Sequence, residues 1–397
     1  MMSAKANSTN ELLAQLIAFD TTSHLSNLSL IEFVEDYFAR YGIPSRRVPS
    51  DDGTKTNLLA TIGPDVEGGV ILSGHTDVVP VTGQDWLSDP FTMDTRTEDG
   101  VTRHFGRGTA DMKGFIAAVL AHAPALAAAD LKTPIHIGLT YDEEVGCKGV
   151  GRMIDQLGAE VPMPAVAIVG EPTSMQIVTG HKGIRGFETV LTGVAAHSSA
   201  PHLGVNAIAF AARFIAFLTE LANEIRNSAN LDSPFEPPWT TFNIGTIAGG
   251  EALNIIADRC RVKWEFRPLP ETDADAIVAR VRAFIDGELH PAMQAEDSRA
   301  RAELRTLEAV PPMRPDFDSP AERLVRHLTG ANDTMTVAYT AEASQYQAHG
   351  IPAVLCGPGN IAQAHQPDEW IAQSELDACD AFLDRLLTWA ASGNPVP

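Results

Sequence analysis

Two histidines and a set of carboxylates stand just beyond short apolar runs of this sequence. His75 and Asp77 follow Val70-Ile71-Leu72, Glu143 and Glu144 follow the run at 135–139, and Glu171 follows the run at 165–169. Asp111 opens an Asp-Met-Lys-Gly turn, and His365 lies downstream of Ala353-Val354-Leu355. Imidazoles and carboxylates without thiolates suit zinc, cobalt or manganese. Two such ions joined by one carboxylate would lower the pKa of a shared water and polarise a carbonyl, which is chemistry for hydrolysis. His75 and Asp77 are two apart, so in extended backbone they share a side, and Asp77 could orient the ring of a ligating His75. Adjacent Glu143 and Glu144 face differently, so one could ligate while the other carries a proton. Buried side by side, they would need a compensating cation.

Each cluster alone has a plainer reading. His75 and Asp77 could satisfy polar groups in a turn, and Asp111 could cap the helix after it. Glu143-Glu144 could be an exposed acidic turn, and Glu171, ahead of Pro172, could simply end a strand. Recurrence of such clusters at strand ends favours one shared site, because ligand crevices of open α/β sheets form at the carboxyl ends of the strands.

The elements that must position these residues alternate between strand and helix patterns. Leu12, Leu13, Leu16 and Ile17 fall at helical spacing, and residues 30–41 repeat the pattern. Strands are expected at 46–48, 57–62, 70–73, 134–140 and 165–169, and helices at 114–129 and 148–157. This order indicates a mostly parallel sheet covered on both faces. The pattern then changes. Strands at 183–194, 240–247, 253–266 and 302–308, with helices at 204–227 and 273–287, give the order β-α-β-β-α-β of a ferredoxin-like sandwich. Gly249-Gly250 is a hairpin signal between two of those strands. A helix at 320–329, a strand at 353–355 and a helix at 374–391 resume the α/β character. The expected organisation is therefore a catalytic α/β domain over 1–180 and 311–397, interrupted by an inserted α+β domain over 181–310.

A chain of 397 residues with 44% hydrophobic content has ample material for two cores. Its formal net charge of −22 argues against nucleic acid as a partner, since phosphate binding needs clustered Lys and Arg. The four cysteines, Cys147, Cys260, Cys356 and Cys379, are scattered, which disfavours a thiolate zinc site or a disulfide framework and suits a reducing compartment. Residues 1–10 lack the apolar region of a signal peptide, and no apolar stretch reaches membrane-spanning length without polar interruption. A cytoplasmic protein with no membrane partner is the expectation.

Together the clusters carry a resemblance. Ser-Gly-His75-Thr-Asp77-Val-Val-Pro, Gly-Thr-Ala-Asp111-Met-Lys-Gly, Asp-Glu143-Glu144-Val-Gly, Gly-Glu171-Pro-Thr, Ala-His197-Ser-Ser and Ala-His365-Gln-Pro-Asp-Glu369 occur in one order over nearly the whole chain. In this the sequence resembles the acetylornithine deacetylase, succinyl-diaminopimelate desuccinylase and aminoacylase family of dinuclear zinc amidohydrolases. His181-Lys182-Gly183, Phe266-Arg267-Pro268-Leu269-Pro270, Thr340-Ala-Glu342-Ala and Gly357-Pro-Gly359-Asn are most similar to its acetylornithine deacetylase branch.

The resemblance implies a zinc-peptidase type catalytic domain with two divalent metal ions, zinc foremost and cobalt as an option. His75 and Glu171 would hold one ion, Glu144 and His365 the other, and Asp111 would bridge. Asp77 would orient His75, Glu143 would be the general base, and the Asp111–Met112 peptide bond would be cis. The insertion would be a lid that pairs two subunits into a homodimer, with His197 reaching the partner's site to stabilise an oxyanion. Arg267 would grip the substrate carboxylate with help from Asn254, Glu342 would receive a cationic side chain, and Gly357 and Gly359 would offer N–H groups. Plainer readings stand beside these: a surface-loop His197, a strand-end ion pair for Arg267, a solvated Glu342, and a tight turn at Gly357–Gly359. The implied reaction is amide hydrolysis of an N-acyl amino acid, with N2-acetyl-L-ornithine giving L-ornithine and acetate in arginine synthesis. Succinyl-diaminopimelate, acetylcitrulline or a dipeptide are alternative small-molecule substrates. A metal-free, non-catalytic binding protein on the same fold is the alternative from another class.

Overall fold

The computed structural model describes residues 7–395. His181–Pro312 with Thr336–Thr340 form one compact unit, here the second, and the other described residues form the first.

The first unit opens with α1 (Thr9–Ile17) and α2 (Leu28–Arg40). Ser8 caps α1 reciprocally: the Glu11 N–H donates to the Ser8 hydroxyl at 3.3 Å while the Ser8 N–H donates to the Glu11 carboxylate at 2.7 Å. Strands β1 (Ser45–Pro49), β2 (Thr56–Ile62) and β3 (Gly69–His75) follow, then a hairpin of β4 (Asp94–Glu98) and β5 (Val101–Phe105). A π-helical turn at Thr109–Lys113 leads into α3 (Gly114–Ala128). After it come β6 (Ile135–Thr140), a short α4 (Val150–Ile154), β7 (Pro164–Val169) and β8 (Ile177–His181). The second unit is built from β9 (Ile184–Thr192), α5 (Ala207–Asn227), β10 (Thr241–Gly249), β11 (Arg259–Arg267), α6 (Ala274–Phe284), α7 (His290–Glu296) and β12 (Arg301–Val310). The chain finishes with α8 (Pro320–Thr329), β13 (Thr334–Val337), α9 (Ala343–Ala348), β14 (Ala353–Leu355), β15 (Trp370–Ala372) and α10 (Gln373–Ser392).

The large sheet has the order β1-β2-β6-β3-β7-β14-β8-β13. Its centre, β6-β3-β7-β14, is parallel, while β1, β2 and β8 run antiparallel to their neighbours. Every residue of β3 and β6 is buried, which is why these strands read as continuous apolar runs rather than alternating ones. The strands share one core with α1, α2, α3, α8 and α10 through residues such as Leu12, Phe38, Leu72, Phe115, Leu324 and Phe382. The fold is therefore α/β, with a sheet whose parallel centre carries the strand ends of interest.

The second unit is an antiparallel sheet of order β10-β11-β9-β12 with α5, α6 and α7 against it, in the ferredoxin-like order read from the sequence. Phe187, Phe214, Trp264 and Phe266 fill its core, with the Phe187 and Trp264 rings stacked at 4.6 Å.

Some elements differ from expectation. β11 begins at Arg259 rather than at Leu253, because the segment before it pairs with a loop instead: the Ser198 N–H donates to the Asn254 carbonyl at 3.0 Å and the Ile256 N–H to the Ala196 carbonyl at 2.9 Å. The connection after Gly249-Gly250 is thus a loop, not a tight hairpin. The helical stretch from Ala274 runs on past Gly287 to Glu296, with a π-helical turn at Ile285–Leu289 just before Pro291, which has no N–H to donate. A third sheet, β15-β5-β4, adds to the expected elements: Asp94–Glu98 and Val101–Phe105 are short and mostly polar, with only the Asp99-Gly100 turn between them to signal a hairpin. Among the described residues no helix is long and apolar enough to cross a membrane.

Candidate metal centre

Parallel neighbours bring the chemistry together. β3 ends on His75, β6 ends on Thr140 ahead of Glu143 and Glu144, and β7 ends on Val169 ahead of Glu171. The register His75↔Thr140 and Ser73↔Val169 delivers all three segments to one end of the sheet. Asp111 enters from the π-helical turn before α3, where its φ of −123° and ψ of 93° break the helix, and the Asp111–Met112 bond is cis, as the resemblance implied. His365 comes from the loop between β14 and β15.

Asp111 sits between the two histidines. Its Oδ1 lies 2.9 Å from His75 Nε2 and its Oδ2 lies 3.2 Å from His365 Nε2. His365 Nε2 is also 3.0 Å from Glu144 Oε2, and Glu171 Oε1 is 4.0 Å from His75 Nε2. Ligand atoms of His75, Asp111 and Glu144 all fall within 4.8 Å of one another. Sequence positions from 75 to 365 are thereby collected around one carboxylate.

The donor set fits divalent cations. His75 Nδ1 lies 2.9 Å from the Asp77 backbone carbonyl, an acceptor only, so Nδ1 carries a proton and Nε2 faces Asp111. Burial opposes a charged ring, but the hydrogen bond and charge of Asp111 push His75 well above the usual imidazole range, so Nε2 is protonated unless a cation takes that place. A lone pair facing a carboxylate oxygen repels unless a proton or a cation lies between them. Glu171 Oε1 is buried with no hydrogen-bond partner, an expensive state that a cation relieves. Burial, then repulsion from Asp111, pushes Glu144 up to about 7. Glu143 rises well above the usual carboxylate range through burial and the charges of Glu144 and Asp111. Glu171 rises likewise through burial, then Asp111 and Glu143. For Asp111 burial acts upward, but hydrogen bonds from His365 and His75 outweigh it and hold the group low. His365 is drawn up to about 11 by its hydrogen bonds to Asp111 and Glu144. So many buried carboxylates cannot all ionise without positive charge among them.

The surrounding shell refines the expected roles. The Asp77 carboxylate does not hold the His75 ring; it is 3.8 Å from Nδ1, and the backbone carbonyl of the same residue orients the ring instead. Its oxygens are taken by the N–H groups of Glu143 at 3.1 Å and Glu144 at 3.3 Å and by the Ser23 hydroxyl at 2.7 Å. Asp77 thus fixes the loop that carries Glu143 and Glu144. Glu342 is only 1% exposed and accepts from the Ser73 and Thr140 hydroxyls at 2.6 and 2.9 Å. It is a buried brace between β3 and β6, not a free acceptor for a substrate ammonium. The Gly357 N–H donates to the Thr173 hydroxyl at 3.2 Å and the Gly359 N–H to Glu375 at 3.1 Å, so neither is left for a ligand. Gly357 is required for space, since a Cβ there would lie 2.1 Å from the Gly170 carbonyl oxygen.

His197, Asn254 and Arg267 lie in the second unit. His197 and Asn254 are exposed and adjoin across the loop pairing described above, with a bridge between His197 and Ile255. Arg267 ends β11, with its Nε 2.9 Å from Glu265 and its Nη1 3.3 Å from the Thr340 hydroxyl. Sequence reasoning missed Ser23, and also Cys147, whose thiol lies 3.3 Å from Glu143 Oε1. Neither sits in a pattern that could have singled it out.

The chain is similar to known proteins over nearly its whole length. An acetylornithine deacetylase from Pasteurella multocida (strain Pm70) is 33% identical over 391 residues, covering 96% of this chain and 98% of the relative. One from Myxococcus xanthus is 34% identical over 386 residues, covering 96% and 97%. Among solved structures, a tripeptidase from Staphylococcus aureus superposes with a TM-score of 0.73 at 20% identity, covering 98% of this chain and 100% of that one. The profile of Peptidase family M20/M25/M40 matches residues 71–389, and with the relatives aligned almost end to end, the chain belongs to that family.

Proposed function

We propose that this chain is a metal-dependent amidohydrolase that converts N2-acetyl-L-ornithine to L-ornithine and acetate. The observation that carries the reading is Asp111, whose two oxygens each face a different imidazole beside the half-buried Glu143. His75 and Glu171 would hold one ion and Glu144 and His365 the other, with Asp111 shared; zinc fits this nitrogen and oxygen set, and cobalt is the alternative. Bound there, the ions would polarise the amide carbonyl and make water a competent nucleophile near neutral pH.

The chain's own residues do the rest. Glu143 takes a proton from the attacking water and returns it to the departing amine. Asp77 fixes where that carboxyl points by holding the Glu143 and Glu144 N–H groups. Arg267 grips the substrate carboxylate with its planar fork, assisted by Asn254. His197 donates to the developing oxyanion, across a homodimer formed through the second unit, which serves as lid. Arginine synthesis in the cytoplasm is the setting this reading implies. Relatives named for this activity support the choice of substrate. The test is kcat/KM measured side by side on N2-acetylornithine, N-succinyl-diaminopimelate, N-acetylcitrulline and a dipeptide. Acetylornithine should lead, and a clear preference for the succinyl substrate would overturn the assignment.

A further inference from the structure

We propose that Arg107 and Glu369 are positioning residues that set the metal geometry by fastening the Asp111 turn to the His365 loop. The inference rests on the metal-centre reading above. Both side chains are 1% exposed and they pair at 2.7 Å. Neither is among the ligands of that centre.

Glu369 acts as a four-point clamp. One oxygen accepts the N–H groups of Ala110 at 3.0 Å and Asp111 at 3.1 Å. The other accepts the Gly108 N–H at 3.0 Å and Arg107 Nη1. The turn that delivers Asp111 leaves helical geometry at Asp111 and Met112, and without Glu369 these buried N–H groups would go unpaired. Backbone pairing reinforces the clamp: the Gly106 N–H donates to the Glu369 carbonyl at 2.9 Å, and β5 and β15 run antiparallel from Phe105↔Trp370.

Arg107 carries the connection to the second ligand segment. Its Nη1 reaches the Gln366 carbonyl at 3.3 Å and its Nη2 reaches Gln84 Oε1 at 2.5 Å. Gln84 in turn donates to the backbone carbonyl of His365 at 2.9 Å. One guanidinium thus ties the Asp111 turn, through Glu369, to Gln366 directly and to His365 through Gln84. Stability alone is a poor account of this arrangement, since a buried ion pair gains little over well-packed apolar side chains. A planar fork with several fixed donors is suited to setting geometry, and lysine could not reproduce it.

The experiment uses the full-length chain and reads metal binding, not turnover. Zinc dissociation constants are measured by competition with a chromophoric chelator, and the visible absorption of the cobalt-loaded protein reports ligand geometry. In Glu369→Gln the amide NH2 must face one of the donor pairs, so half of the clamp is lost. Zinc affinity should fall roughly 10- to 100-fold for at least one ion, as expected when a group supporting metal ligands is removed. The cobalt bands should shift, and Arg107→Lys should behave alike. Gln84→Ala, at a partly exposed position, cuts only the arm to His365 and should weaken one ion several-fold while leaving the thermal midpoint near wild type. Wild-type zinc constants and an unchanged cobalt spectrum in folded Glu369→Gln would overturn the proposal. If that variant does not fold, unchanged constants in Gln84→Ala would do so. A wild-type chain that binds no metal would instead refute the metal-centre reading itself.

Discussion

Mild acid should loosen the first unit through His136. This residue lies in β6, between β2 and β3, and is fully buried. Its Nδ1 is 2.9 Å from the Thr61 hydroxyl, and its Nε2 has no hydrogen-bond partner among the described residues. Burial pushes its pKa down from 6.5 to about 4, because a charged imidazolium would lose its hydration there. The unfolded chain therefore binds this proton at a higher pH than the folded one. Above about pH 6.5 both states hold a neutral ring and the residue contributes no pH dependence. As pH falls from 6.5 towards 4 the unfolded state gains the proton first and stability drops; below about 4 the loss is complete. At about 1.36 kcal/mol per pH unit the gap is worth on the order of 3 kcal/mol. His136→Asn keeps a polar atom near the Thr61 hydroxyl but does not titrate. Urea unfolding of both chains, with chelator present throughout, should show the wild type losing on the order of 3 kcal/mol relative to the variant between about pH 7 and pH 4. Other titrating groups are common to both chains and cancel in the difference. Parallel stability curves would refute the argument.

Three further perturbations separate chemistry from scaffold. Glu143→Gln should lower kcat by roughly 10²- to 10⁴-fold while metal content stays at the wild-type level, as loss of a general base requires; unchanged turnover would remove Glu143 from the role. Mixing that variant with His197→Ala should restore activity in hybrid dimers if His197 acts across the subunit interface, and no recovery despite proven exchange would place it within its own chain. Gly170→Ala should disturb both fold and site, because a Cβ there would lie 2.0 Å from Phe115 Cγ, beneath the strand end that carries Glu171. Overpacking of this kind costs about 1–3 kcal/mol. Denaturation midpoint and zinc stoichiometry should both fall, and wild-type values of both would contradict the packing.

What could be read from the sequence was what burial writes into composition. The runs that became β3, β6 and β7 are apolar because both faces of the sheet are covered, and a polar residue at the end of such a run stands out. The sheet β15-β5-β4 left no such mark, because its strands are short and β4 and most of β5 are polar. Yet it is the frame that brings Arg107 beside Glu369, partners 262 residues apart in sequence. The roles of Asp77, Glu342 and the Gly357–Gly359 turn were misjudged for one reason. Residue type reveals that a group can donate or accept, but not which neighbour has already claimed it.

The place of β14 in the large sheet has a consequence for biosynthesis. It lies between β7 and β8, parallel to one and antiparallel to the other, although the whole second unit is synthesised between those strands and β14. As the chain leaves the ribosome, β7 and β8 emerge early with the slot between them unfilled, and each presents bare N–H and C=O groups. Such edges are templates for foreign strands and for aggregation. Nascent chains halted before Ala353 should accordingly be far more aggregation-prone than chains released after Leu355. His365 follows β14 by only ten residues, so the segment proposed to complete the metal centre leaves the ribosome right behind the strand that fills the slot.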